Sequence, residues 1–185
     1  PWLTYSGVLD KVQGGYRVNL SEVSAAQATS VASDDHVQSL TISDSTAAIA
    51  AQIMTLQNLG PQITAITRTD PQSSLVITAA QREAAAGLLE KLDPDYTLAL
   101  REVRADQAQS LVDDDHVSTI EVSDTSAHIA AQLNALNDNA KINSLTQTGD
   151  LSPLSITAAQ MDRWCRGFDN WGVVDTLCFV LFDHS

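Results

Sequence analysis

Cysteine, basic residues and aromatics are all scarce in this chain, and each shortage removes a class of function. Two cysteines occur among 185 residues, Cys165 and Cys178, and no CxxC pair exists. A thiolate zinc site therefore has no ligand set, while a Cys165–Cys178 disulfide stays open. Lys and Arg total ten against 23 acidic residues, for a formal net charge of −13. Such a chain repels phosphate backbones, so no nucleic-acid partner is expected. Aromatics make up 5% while apolar residues reach 44%, so the core must be built from Ala, Leu, Val and Ile. No apolar run approaches the ~20 residues that a membrane helix requires. The chain starts at Pro1 without Met, so a missing leader says nothing of targeting.

Catalytic signatures are missing too. No HExxH, GxSxG or DxDxDG occurs, and His36, His116, His128 and His184 are dispersed. Gly14-Gly15 is a lone turn rather than a phosphate loop. Carboxylate pairs are common in any acidic chain and mark no glycosidase site on their own.

What the sequence does contain is a repeat. Val37–Leu56 (VQSLTISDSTAAIAAQIMTL) returns 80 residues later as Val117–Leu136 (VSTIEVSDTSAHIAAQLNAL), with nine of twenty positions identical. Asp34-Asp35-His36 returns as Asp114-Asp115-His116, and Tyr16–Leu20 resembles Tyr96–Leu100. After a one-residue deletion, Ile77–Gln81 returns as Ile156–Gln160 at an offset of 79.

Each unit reads as alternating strands and helices. Tyr16, Val18 and Leu20 alternate with polar residues, the period-two mark of a half-buried strand. Ser24-Ala-Ala-Gln27 and Thr78-Ala-Ala-Gln81 have the form of capping boxes that open helices. Val37–Ser43 reads as a strand, after which Asp44 or Ser45 caps a second helix. The apolar stripe of that helix is Ile49, Ile53 and Leu56, and its copy is Ile129, Leu133 and Leu136. Short links between strands and helices favour parallel strands with crossover helices. The expected fold is α/β: a repetitive β-α solenoid-like array with mainly parallel strands and a divergent C-terminal cap. Its expected divisions are a lead-in over 1–15, repeat units over 16–95 and 96–160, and a tail over 161–185.

The signature Ser43-Asp44, Ile49-Ala50-Ala51-Gln52 and Ile77–Gln81, with its copies, resembles repeats of very long bacterial surface or secreted proteins. Many of those are adhesin-like or exported by type I secretion. The likeness runs from about Tyr16 to Gln160. It implies a non-enzymatic structural or adhesive module, placed outside the cell or on its surface. Partners would be other surface proteins, or further copies joined end to end through open strand edges.

The tail Met161–Ser185 changes character, holding both cysteines and all three Phe. Asp162-Arg163-Trp164, Phe168-Asp169-Asn170-Trp171, Val174-Asp175 and Phe182-Asp183 resemble part of the helical HEAT-like DNA alkylation repair glycosylases. That resemblance implies that Trp171 contacts a lesion nucleotide and that Asp175 stabilises the developing sugar cation. The same stretch reads as the next helix and closing strand, because Thr176-Leu177 matches Thr97-Leu98 at the offset of 79. Its aromatics, Trp164, Phe168 and Trp171 among them, would then cover the end of the array. The cap is our leading expectation and the glycosylase the alternative.

One further set of residues could hold a cation. Asp34, Asp35, Asp114 and Asp115 recur at one place in the repeat, and calcium takes six to eight oxygen ligands. Two carboxylates per turn fall short of that set, so an Asp-rich turn with no cofactor is the expectation.

Overall fold

The structure is a computed structural model that describes Gly7 and residues 11–13, 15–149 and 152–161. The chain forms two compact units, which divide between Leu98 and Ala99.

In the first unit three parallel strands lie side by side in chain order: β1 (Val18–Val23), β2 (Val37–Asp44) and β3 (Ile63–Arg68). Between β1 and β2 runs the short helix α1 (Ala28–Ala32). Between β2 and β3 run α2 (Thr46–Ala51) and α3 (Ile53–Asn58). After β3 come the short strand β4 (Leu75–Thr78) and helices α4 (Ala79–Ala84) and α5 (Ala86–Leu89).

The second unit repeats this plan. β5 (Leu98–Val103), β6 (Val117–Thr125) and β7 (Ile142–Thr148) follow one another in the sheet, and β6 pairs with β7 in parallel. A 3₁₀ turn over Ala108–Leu111 stands where α1 stands in the first unit, and α6 (Ser126–Asn137) replaces α2 and α3 with one continuous helix.

Burial follows the pattern read from the sequence. Ile49, Ile53, Leu56, Ile129, Leu133 and Leu136 are all buried. The inward residues of the strands, Val37, Leu40 and Ile42 in β2 and Val117, Ile120 and Val122 in β6, are buried as well. The inward positions do not alternate strictly. A register shift falls between Leu40 and Thr41 opposite β3, and its copy falls between Ile120 and Glu121 opposite β7. The extra residue lies in the partner strand, Thr64 in β3 and Asn143 in β7, and in β3 the buried positions accordingly fall at Ile63, Ile66 and Arg68.

A second irregularity also recurs. Between Leu20 and Val23, β1 carries three steps where β2 carries two, from Leu40 to Ile42. Within this bulge Glu22 sits at φ 56°, and its copy Glu102 sits at φ 53°. Left-handed backbone costs a side-chain-bearing residue roughly 1–2 kcal/mol. Its return at the same place in both copies shows that the bend belongs to the repeat.

The two capping boxes fare differently. At Thr78 the box is complete: the Gln81 N–H donates to Thr78 Oγ1 at 3.1 Å, and the Thr78 N–H donates to Gln81 Oε1 at 2.9 Å. Its copy forms between Thr157 and Gln160 at 3.2 and 2.8 Å. At Ser24 the hydroxyl instead donates to the Gln27 side chain at 3.1 Å, and the helix begins only at Ala28. Ser24-Ala-Ala-Gln27 is therefore a turn ahead of the helix. No side chain caps the first turn of α1.

Candidate functional site

The most conserved polar feature between the two units is a carboxylate bracket at the end of the second strand. Asp44 closes β2, and its Oδ2 accepts the Ala25 N–H at 2.9 Å while Oδ1 accepts the Ser45 N–H at 2.8 Å. Asp124 does the same with Ala105 at 3.0 Å and Thr125 at 2.8 Å. Each Asp thus fixes the chain just past the left-handed Glu of the neighbouring strand. The helix caps are the next residues along. Ser45 Oγ accepts the Ala48 N–H at 3.2 Å, and Thr125 Oγ1 accepts the His128 N–H at 3.3 Å. Of the two residues read as capping the second helix, the hydroxyl does so and the carboxylate reaches across to the next strand.

Asp124 is buried and has one partner more, His128 Nδ1 at 2.7 Å. Burial pushes its carboxyl group up. The N–H groups of Ala105 and Thr125, together with the His128 ring, outweigh that and hold it below the ordinary value of 3.8. Asp70 is also held below its ordinary value, by the Thr46 hydroxyl at 2.7 Å and the Thr46 N–H at 2.6 Å. These carboxylates serve as acceptors for backbone groups at element ends, which is a structural use.

The acidic turns are wired alike in both units. Asp34 Oδ1 accepts the His36 N–H at 2.9 Å, and Asp114 Oδ1 accepts the His116 N–H at 3.0 Å. The His36 ring stacks on Tyr16 with 4.2 Å between centroids, and its Nδ1 lies 2.9 Å from Asp34. Asp35 and Asp115 are exposed. Among the described residues no group of three or more His, Cys, Asp or Glu side chains comes together to hold a metal ion.

A charged pair that the sequence did not announce lies in the first unit. The Arg68 side chain is fully buried at the end of β3. Its Nε donates to both Asp93 oxygens, at 3.0 and 3.2 Å, and Nη1 donates to the carbonyls of Pro71 and Ser73, each at 3.1 Å. In the second unit Gln147 holds the equivalent position and donates to the Ser152 carbonyl at 2.7 Å. One contact of the arginine is thus preserved in neutral form. The only available signal was an arginine at an inward strand position, in a chain poor in cations.

The second unit also has an open groove of about 520 Å³, between Ser126, Ala127, Ala130 and Ala131 of α6 and the stretch holding Ser152 and Ser155. None of the described residues that line it titrates, so they supply neither a general base nor an acid. Trp171 and Asp175, with Cys165 and Cys178, lie outside the described residues. So do Trp164 and Phe168. Among the described residues no helix is long and apolar enough to cross a membrane. No family model matches the chain, and no curated protein or solved structure matches it either.

Proposed function

We propose that this chain is a non-enzymatic structural or adhesive module. In this reading the chain is a repetitive β-α solenoid-like array, displayed outside the cell and closed by the aromatic tail. The observation that supports it is the recurrence, at one offset, of a whole set of structural features: the bracket at Asp44 and Asp124, the left-handed backbone at Glu22 and Glu102, and the turn at Asp34 and Asp114. The aspartates in these sets bond to the scaffold, and the groove has no titratable side chain among its described lining.

A solenoid is stabilised mainly between neighbours, so damage should stay local. Ile129→Ala, which truncates a buried side chain, should cost about 2–5 kcal/mol. In hydrogen exchange it should strip protection from β6 and β7 first, while β2 and β3 keep most of theirs. Equal loss throughout would mean one cooperative globule and would sink the solenoid. The purified chain should release no alkylated purine from duplex DNA. Release that disappears in Asp175→Asn would replace this reading with the glycosylase one. The module is also proposed to work without a cofactor: EDTA and millimolar calcium should leave the melting midpoint unchanged, whereas specific binding to the folded state would raise it.

A further inference from the structure

Equivalent residues differ in burial between the middle of the chain and its two ends. In the middle, the Leu75 N–H donates to the Thr97 carbonyl at 2.8 Å, and the Ser74 and Thr97 hydroxyls lie 2.7 Å apart. Leu75 and Ile77 are buried there, and β4 packs on α2. Towards the C-terminus the same motif returns as Leu154–Thr157. Leu75 is 0% exposed, but its copy Leu154 is 43% exposed, and Ile156 is only half-buried. Residues 152–157 form no strand, and the groove beside α6 opens where β4 packs on α2 in the first unit.

The other end shows the complementary defect. Arg17, Val18, Asn19 and Leu20 are each more exposed than their copies Thr97, Leu98, Ala99 and Leu100. Leu98 and Leu100 are fully covered, whereas Val18 and Leu20 are half-covered. β1 is an edge of its sheet, with no described strand beyond it. One end therefore resembles the left half of the Leu75–Thr97 junction and the other end its right half.

We propose that these halves are complementary, and that a second copy of this chain lays its β1 along Leu154–Thr157, head to tail. The Leu154 N–H would then donate to the Arg17 carbonyl of the second copy, as the Leu75 N–H donates to Thr97. Pairing draws residues 154–157 into a strand and turns Leu154 and Ile156 onto α6, filling the groove. The pairing adds a strand ladder between the two copies, of the kind that an edge strand offers. The contact joins two different surfaces, so each copy takes one neighbour at each end. The idea deepens the structural role proposed above and rests on the repeat reading.

Sedimentation velocity on the full chain tests it. The average mass should rise with concentration. Leu154→Lys and Val18→Lys should each weaken self-association at least about tenfold, by placing a charge in a contact that must shed water. Both positions are partly exposed, so the variants should keep the circular dichroism and melting curve of the parent. Mixing the two variants is the deciding arm. Each keeps one intact end, so together they should form a one-to-one pair and nothing larger. A parent that stays monomeric at every concentration, as when its own tail covers the edge, overturns the proposal. So does association that ignores both substitutions, or a mixture that fails to pair. Because hydrogen exchange on Ile129→Ala reads the repeat independently, a failure of docking is distinguishable from a failure of the repeat.

Discussion

Asp93→Ala should lower the unfolding free energy by about 3–5 kcal/mol, the usual result of stranding a buried charge by removing its partner. The Arg68 side chain has no exposure to water, and in this variant its Nε would lose both acceptor oxygens. The converse change, Arg68→Leu, should cost less. Asp93 is 30% exposed at its side chain and can turn to solvent, and Pro71 and Ser73 are exposed, so their carbonyls can be hydrated. The double variant should recover most of the loss, because an apolar side chain replaces a pair whose attraction only offset its own desolvation. Urea denaturation of the four proteins measures all three numbers. If Asp93→Ala is no worse than Arg68→Leu, the guanidinium has another route to compensation.

Asp124→Ala should cost about 2–4 kcal/mol, because it removes the acceptor for two backbone N–H groups, one of them buried. The pH dependence follows from the direction in which Asp124 is shifted. Its carboxyl group is held below 3.8 in the folded chain, so the unfolded chain binds the proton more readily. The bracket's contribution is therefore complete above about 3.8 and is lost as pH falls through the lower folded value. Asp70 is shifted in the same direction and adds to the same acid limb. Acid titration of Asp124→Asn should show a shallower loss of stability below pH 4 than the parent does. An unchanged limb would show that other carboxylates drive acid unfolding.

Much of the fold was legible because it depends on periodicity. The stripe Ile49, Ile53 and Leu56 and its copy are buried as their spacing requires, and the strands beside them run parallel. Local chemistry was legible where both partners lie within one turn, as in the Thr78–Gln81 box. It misled at Ser24, where the side chains bond each other instead of the backbone. Contacts that join distant parts of the chain were not legible. Arg68 and Asp93 are 25 residues apart, and nothing in either neighbourhood marks them as a pair. Asp44 was noticed because it recurs, but its partner Ala25 contributes only a backbone N–H, which leaves no trace in residue type. The bulge at Glu22 was hidden for a similar reason, since glutamate is not a residue that signals left-handed backbone.

The carboxylate bracket has a consequence for how such a chain can diverge. Asp44 and Asp124 grip Ala25 and Ala105 through the main chain alone, so the identity of the gripped residue is free to drift, provided it is compact. Outward residues of the strands, such as Gln38 and Ser118, differ between the copies while the scaffold beneath them stays the same. A lineage that duplicates this unit could therefore vary its surface chemistry copy by copy, with foldability resting on a handful of aspartates and one apolar stripe.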